Sequence, residues 1–122
     1  MQIRILVCMC LVAALSGTLL PAHVRAHAIV LKSSLREHPI RKSVADSIAL
    51  HFNSRIEVKL SRAVLLSRGQ PERPLVLVAG KAPGEVTVKL PPLEPGDYAL
   101  RYRVLAADGH VTEETLRFTV AP

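Results

Sequence analysis

In four short runs from Ile48 onward the apolar residues recur at every second position, the period of a strand. Tyr98, Leu100, Tyr102 and Val104 alternate with Ala99, Arg101 and Arg103, and the same period appears in Val86, Val88 and Leu90, in Ile48, Leu50 and Phe52, and in Leu116, Phe118 and Val120. Successive side chains of a strand point to opposite faces, so a period of two sends one set to a core and the other toward solvent. On that reading His51 faces away from the core. Turn formers separate the runs: Arg68-Gly69-Gln70-Pro71, Gly80 with Pro83-Gly84, Pro91-Pro92, and Pro95-Gly96. Three further strands are expected over His27 to Ser34, Val58 to Ser67 (irregular enough for a bulge) and Leu75 to Ala79. Leu35 to Ala45 reads as a polar loop in which Pro39 holds His38 toward extended geometry. Seven short strands without a helical period predict an all-β chain, a small Greek-key β-sandwich of immunoglobulin-like type in preference to a barrel. The pattern does not fix the strand order. Tyr98, just after a proline-glycine turn, fits a corner tyrosine, and ordinary core packing explains it equally well.

The amino terminus has a different character. Arg4 is followed by an almost wholly apolar run from Ile5 to Leu20 that Pro21 ends. About sixteen residues fall short of the roughly 20 needed to span a bilayer. A signal peptide over residues 1–26 is therefore expected, removed between Ala26 and His27, with Val24 and Ala26 at the third and first positions before the cut. A cut after Ala22 would leave His23 first, and a cut after Ala28 would delete His27. The remainder, 27–122, is one domain of about 96 residues. Cys8, Cys10, Met1 and Met9 all lie in the segment to be removed, so the processed domain has no disulfide, no thiolate and no thioether. Neither cysteine stands at the end of the apolar run after small residues, so no lipid anchor is expected, nor any stable membrane insertion after processing.

Losing Arg4 and Arg25 lowers the formal charge from +6 to about +4, and the remaining basic residues are scattered along the chain. Nucleic-acid binding favours clustered bases with aromatic platforms. With only Phe52, Tyr98, Tyr102 and Phe118 as aromatics, that class is excluded and a solvated basic surface is expected.

Two places carry metal chemistry. If His27 becomes the first residue, it offers an α-amine and an imidazole together, two nitrogens that chelate. Asp108-Gly109-His110 is the second. Residues two apart on an extended segment share a face, so the carboxylate and imidazole are expected to converge, with Gly109 permitting a tight backbone. Taken alone, Asp-Gly is a common turn and the nearby histidine an ordinary surface residue. Cupric ion favours a tetragonal field of nitrogen and oxygen donors and heads the divalent affinity series. The α-amine, with an ordinary pKa near 7.7 to 8, deprotonates for binding at little cost near neutral pH. His38 is expected to be a loop residue and His51 a structural one.

The histidine start followed by Ala28 and Ser33-Ser34, the Leu50-His51-Phe52 strand, the Pro95-Gly96-Asp97-Tyr98 turn and Asp108-Gly109-His110 leading to Phe118-Thr119-Val120 together resemble the CopC-type periplasmic copper-binding (copper resistance) proteins. The resemblance spans nearly all of 27–122 and rests on the order and spacing of these pieces. It implies a small β-sandwich that binds one Cu(II) per chain through His27, Asp108 and His110. It also implies a periplasmic location, a role in copper homeostasis or resistance, and a possible inner-membrane transporter partner of CopD type. The protein would be a monomer and not an enzyme. The sequence departs from the family pattern at Leu35-Arg36, where proline is common, and at Asn53-Ser54-Arg55, where glutamate is common. The methionine-rich segment of some members is missing, which implies the cupric site alone. Two other classes remain open: a metal-free immunoglobulin-like module that binds protein, and a copper oxygenase using an amino-terminal histidine. The second needs a substrate face for which four mostly core-facing aromatics leave little material.

Overall fold

The computed structural model describes residues 28–122. The expected leader, its cleavage point and His27 lie outside the described residues. Seven strands follow in chain order: β1 (Val30–Ser33), β2 (Asp46–Phe52), β3 (Arg62–Ser67), β4 (Arg73–Ala79), β5 (Glu85–Leu90), β6 (Gly96–Leu105) and β7 (Val111–Val120). All pairings are antiparallel, in the order β1-β2-β5-β4-β3-β6-β7. That is the constant-type immunoglobulin arrangement, four strands in one layer and three in the other. Strand β4 makes the transition, because Arg73–Leu75 pair with β3 while Val76–Ala79 pair with β5.

The alternating residues form the core as expected. Ile48, Leu50, Phe52, Val86, Val88 and Leu90 from one layer meet Ala63, Leu65, Leu100, Tyr102, Val104 and Val120 from the other, all buried. Full burial of one such aliphatic side chain stabilises by about 1.5–3 kcal/mol, and the described residues contain no cysteine to crosslink it. The four aromatics pair off, one pair within this packing and the other half-buried against it. Phe52 meets Tyr102 edge to face and Tyr98 stacks on Phe118, each pair with centroids 5.6 Å apart. The Tyr98 hydroxyl donates to the Glu94 carbonyl at 2.7 Å, closing the corner across Pro95-Gly96.

The larger departures from the sequence reading fall in three strands. β1 is shorter than His27 to Ser34, and its register slips between Val30 and Lys32. Val58–Leu60 form a 3-10 turn rather than a strand, because Glu57 O accepts from both Leu60 N–H and the Ser61 hydroxyl; β3 begins after it. β7 starts at Val111 rather than Leu116. The stretch from Val111 to Thr115 has no apolar period, but ladder bonds to β6 from Leu105↔Val111 onward hold it extended regardless. No helix among the described residues is long and apolar enough to cross a membrane.

Candidate metal centre

The loop from β6 to β7 brings Asp108 and His110 together. Gly109 N–H donates to Ala106 O and Ala106 N–H to His110 O, both at 2.9 Å, and Gly109 takes φ +90°, a left-handed value that favours glycine. The loop is pinned from outside by Ala107 N–H donating to Arg55 O at 2.9 Å. Within it, His110 N–H donates to Asp108 Oδ1 at 3.0 Å, while Oδ2 of the same carboxylate lies 3.0 Å from His110 Nδ1. The expected convergence therefore occurs, but by a different route. Asp108 lies in a turn, and its own side chain folds forward over Gly109 to cap the next residue's backbone. The two bonds from His110, ring first and backbone second, hold the Asp108 carboxyl below its ordinary range, so it stays an anion. Both side chains are about two-fifths exposed, at the rim of the sandwich.

Ala28, the residue after His27, is buried at 1% exposure. Together with Ile29, Leu31 and Arg36 it lines one wall of a cleft of about 590 Å³ whose other wall is Val111, Thr112 and Glu114. The backbone next to His27 thus shares a cleft with the residues next to His110. Asn53 fixes it there. Its side-chain Oδ1 accepts from Ile29 N–H at 2.8 Å and its own N–H donates to Ile29 O at 3.1 Å.

The other histidines fall elsewhere. His51 lies on the outer face of β2, with Nδ1 4.0 Å from Glu85 Oε2. His38 is exposed in the turn after Ser34–Arg36, its N–H donating to Ser34 O at 2.8 Å. Among the described residues no three His, Asp or Glu side chains gather into a metal-sized group. The sequence reading missed Asn53 as a clamp, Glu114, which faces the cleft, and Thr112, whose buried hydroxyl has no hydrogen-bond partner among the described residues. The first was visible only as a departure from the family pattern, and the other two carry no motif.

The family model of the CopC domain matches residues 30–121, which takes in every strand and the Asp108–His110 loop. The chain belongs to the CopC domain family. Among solved structures, CopC from Methylosinus trichosporium OB3b is 26% identical, with a TM-score of 0.64, over 79% of this chain and 95% of that one. PcoC, a methionine-rich copper resistance protein from Escherichia coli, shares the fold at 24% identity and a TM-score of 0.58, over 78% of this chain and 99% of that one. No curated protein sequence matches the chain. The contrast with PcoC is chemical: this CopC-family chain has only Met1 and Met9, both in the expected leader.

Proposed function

We propose that this CopC-family chain is an exported, periplasmic carrier of cupric ion. Processing leaves His27 first; its α-amine and ring, the Asp108 carboxylate and the His110 imidazole hold one Cu(II); and the copper passes to an inner-membrane transporter of CopD type. The observation that carries this is the 3.0 Å separation of Asp108 Oδ2 and His110 Nδ1. Two donors about 2.0–2.1 Å from one ion and at right angles lie about 2.9 Å apart, so the pair is spaced for adjacent corners of a tetragonal field. The described residues contribute no third donor. Ala28, the residue after His27, lines the neighbouring cleft together with Val111, which supports His27 as the source of the missing donors. Asp108 neutralises part of the cupric charge and aligns the ring through Nδ1 in the metal-free protein.

Copper is cargo in this reading rather than a catalyst. The aromatics that a polysaccharide-binding face needs are few: Phe52 and Tyr102 pair in the core, and Tyr98 and Phe118 stack on each other, half-buried against it. Cupric titration of the processed protein, followed by electron paramagnetic resonance, is expected to give one tetragonal centre saturating at one equivalent, with nitrogen couplings that weaken in His110→Ala. An unchanged centre in that variant, or a second equally tight equivalent, contradicts the proposal.

A further inference from the structure

Strands β1 and β7 end the strand order, so each has an edge that no described strand pairs. Both edges border the cleft that starts beside the candidate metal centre. The edges are unequal. β1 has four residues and a register slip, whereas β7 runs regularly for ten, Val111–Val120, and every second residue turns its N–H and C=O away from β6. Natural edge strands that stay unpaired are normally blunted by short length, proline, bulges or charged side chains. β7 is long and regular, has no proline, and before Arg117 carries only the carboxylates of Glu113 and Glu114.

Around this edge Ile29, Leu31 and Val111 are 57%, 69% and 42% exposed, and Thr112 Oγ1 is buried without a described partner. The charges point to the class of occupant. Every other acidic side chain among the described residues has an ion-pair or hydrogen-bond partner, but Glu113 and Glu114 have neither. Glu113 stands opposite Arg103 in the ladder without an ion pair, and Glu114 stands opposite Tyr102, facing the cleft.

Resting on the carrier reading above, we propose that the β1/β7 cleft is the docking site of the copper-exchanging protein, which adds an extended segment with alternating apolar and basic side chains as a strand along β7. The basic side chains meet Glu114 on the cleft-facing side of β7, and the apolar ones lie on the other side, beside Val111. Main-chain bonds to a sheet edge supply affinity and the alternate side chains supply selectivity. The added strand then runs beside the His110 end of the cleft, where a donor on the partner meets the cargo.

The test uses isotopically labelled processed protein and a capped ten-residue peptide alternating valine and lysine. Its controls are the same peptide with glutamate for lysine and the same peptide N-methylated along its backbone. The expected result is chemical-shift change confined to the cleft and slowed exchange at alternate amides of β7. Affinity should fall at least tenfold for either control, and Glu114→Lys should bring the lysine and glutamate peptides close to parity. Equal binding of the N-methylated peptide, shifts away from the cleft, or concentration-dependent self-association through β7 overturns the proposal. Copper is titrated in parallel, and Glu114→Lys should retain full copper affinity. If the wild-type protein takes no copper, the carrier reading fails whatever the peptide does; if copper binds in full and no β7 amide is protected, the docking site alone fails.

Discussion

Replacing Asn53 by alanine tests how the amino-terminal segment is held, using a side chain that touches neither ligand loop residue. Asn53 Oδ1 accepts Ile29 N–H at 2.8 Å, while the reverse bond, Asn53 N–H to Ile29 O at 3.1 Å, is backbone to backbone and survives the substitution. The lost bond is exposed, so water replaces it and the net cost is that of one ordinary hydrogen bond, about 0.5–1.5 kcal/mol. If that energy selects the docked terminus over a loosened one, cupric affinity falls by about two- to twelvefold through His27, with no ligand removed. Competition against a cupric chelator measures the affinity, and amide exchange at Ile29 measures the docking. Global melting should move little, since the buried core is untouched. Unchanged copper affinity with an unprotected Ile29 amide refutes the link between the Asn53 clamp and the metal.

Three further outcomes are expected. Tyr102, pushed up to about 12 by burial first and Glu114 second, should show a phenolate absorbance step far later than a free tyrosine. Because its folded pKa is raised, the stability tied to the neutral hydroxyl is full below about 10 and is lost as pH climbs from there through about 12. Gly84→Ala should destabilise by about 1–3 kcal/mol, lowering Tm by at least about 4 °C, because a Cβ there meets Phe52 O at 2.5 Å and Ser54 O at 3.1 Å; an unchanged melt refutes this. Cuprous ion should stay with a competing chelator, since all sulfur (Met1, Cys8, Met9, Cys10) lies in the expected leader, and tight retention reopens a carrier role in both oxidation states.

The strands were legible wherever one face is buried, because burial imposes the period of two. Ile48-Leu50-Phe52 and Leu100-Tyr102-Val104 are core and His51 faces outward, as the alternation requires. The first half of β7 was not legible. Its residues face a cleft and solvent, and only pairing to β6 makes them a strand. The strand order depends on contacts distant in sequence, which no local pattern encodes. In the candidate site, the Asp108–His110 pair was readable as a motif. Its geometry was not, since the two meet through a turn closed by Asp108's own carboxylate rather than through strand alternation. Asn53 acts through a contact 24 residues away in the chain and leaves no periodic trace.

The most direct test of the amino-terminal chelate is to move the amine. One extra residue ahead of His27 separates the α-amine from the imidazole-bearing residue while leaving Ala28, Asn53, Asp108, His110 and the core as they are. The extended protein, compared with the processed one by cupric competition and paramagnetic resonance after mass spectrometry of both termini, is expected to melt at the same temperature without copper. It should bind Cu(II) far more weakly, through a centre with one nitrogen fewer. Equal affinity and an identical centre in the two forms would contradict binding through the terminus and leave Asp108 and His110 as an ordinary loop.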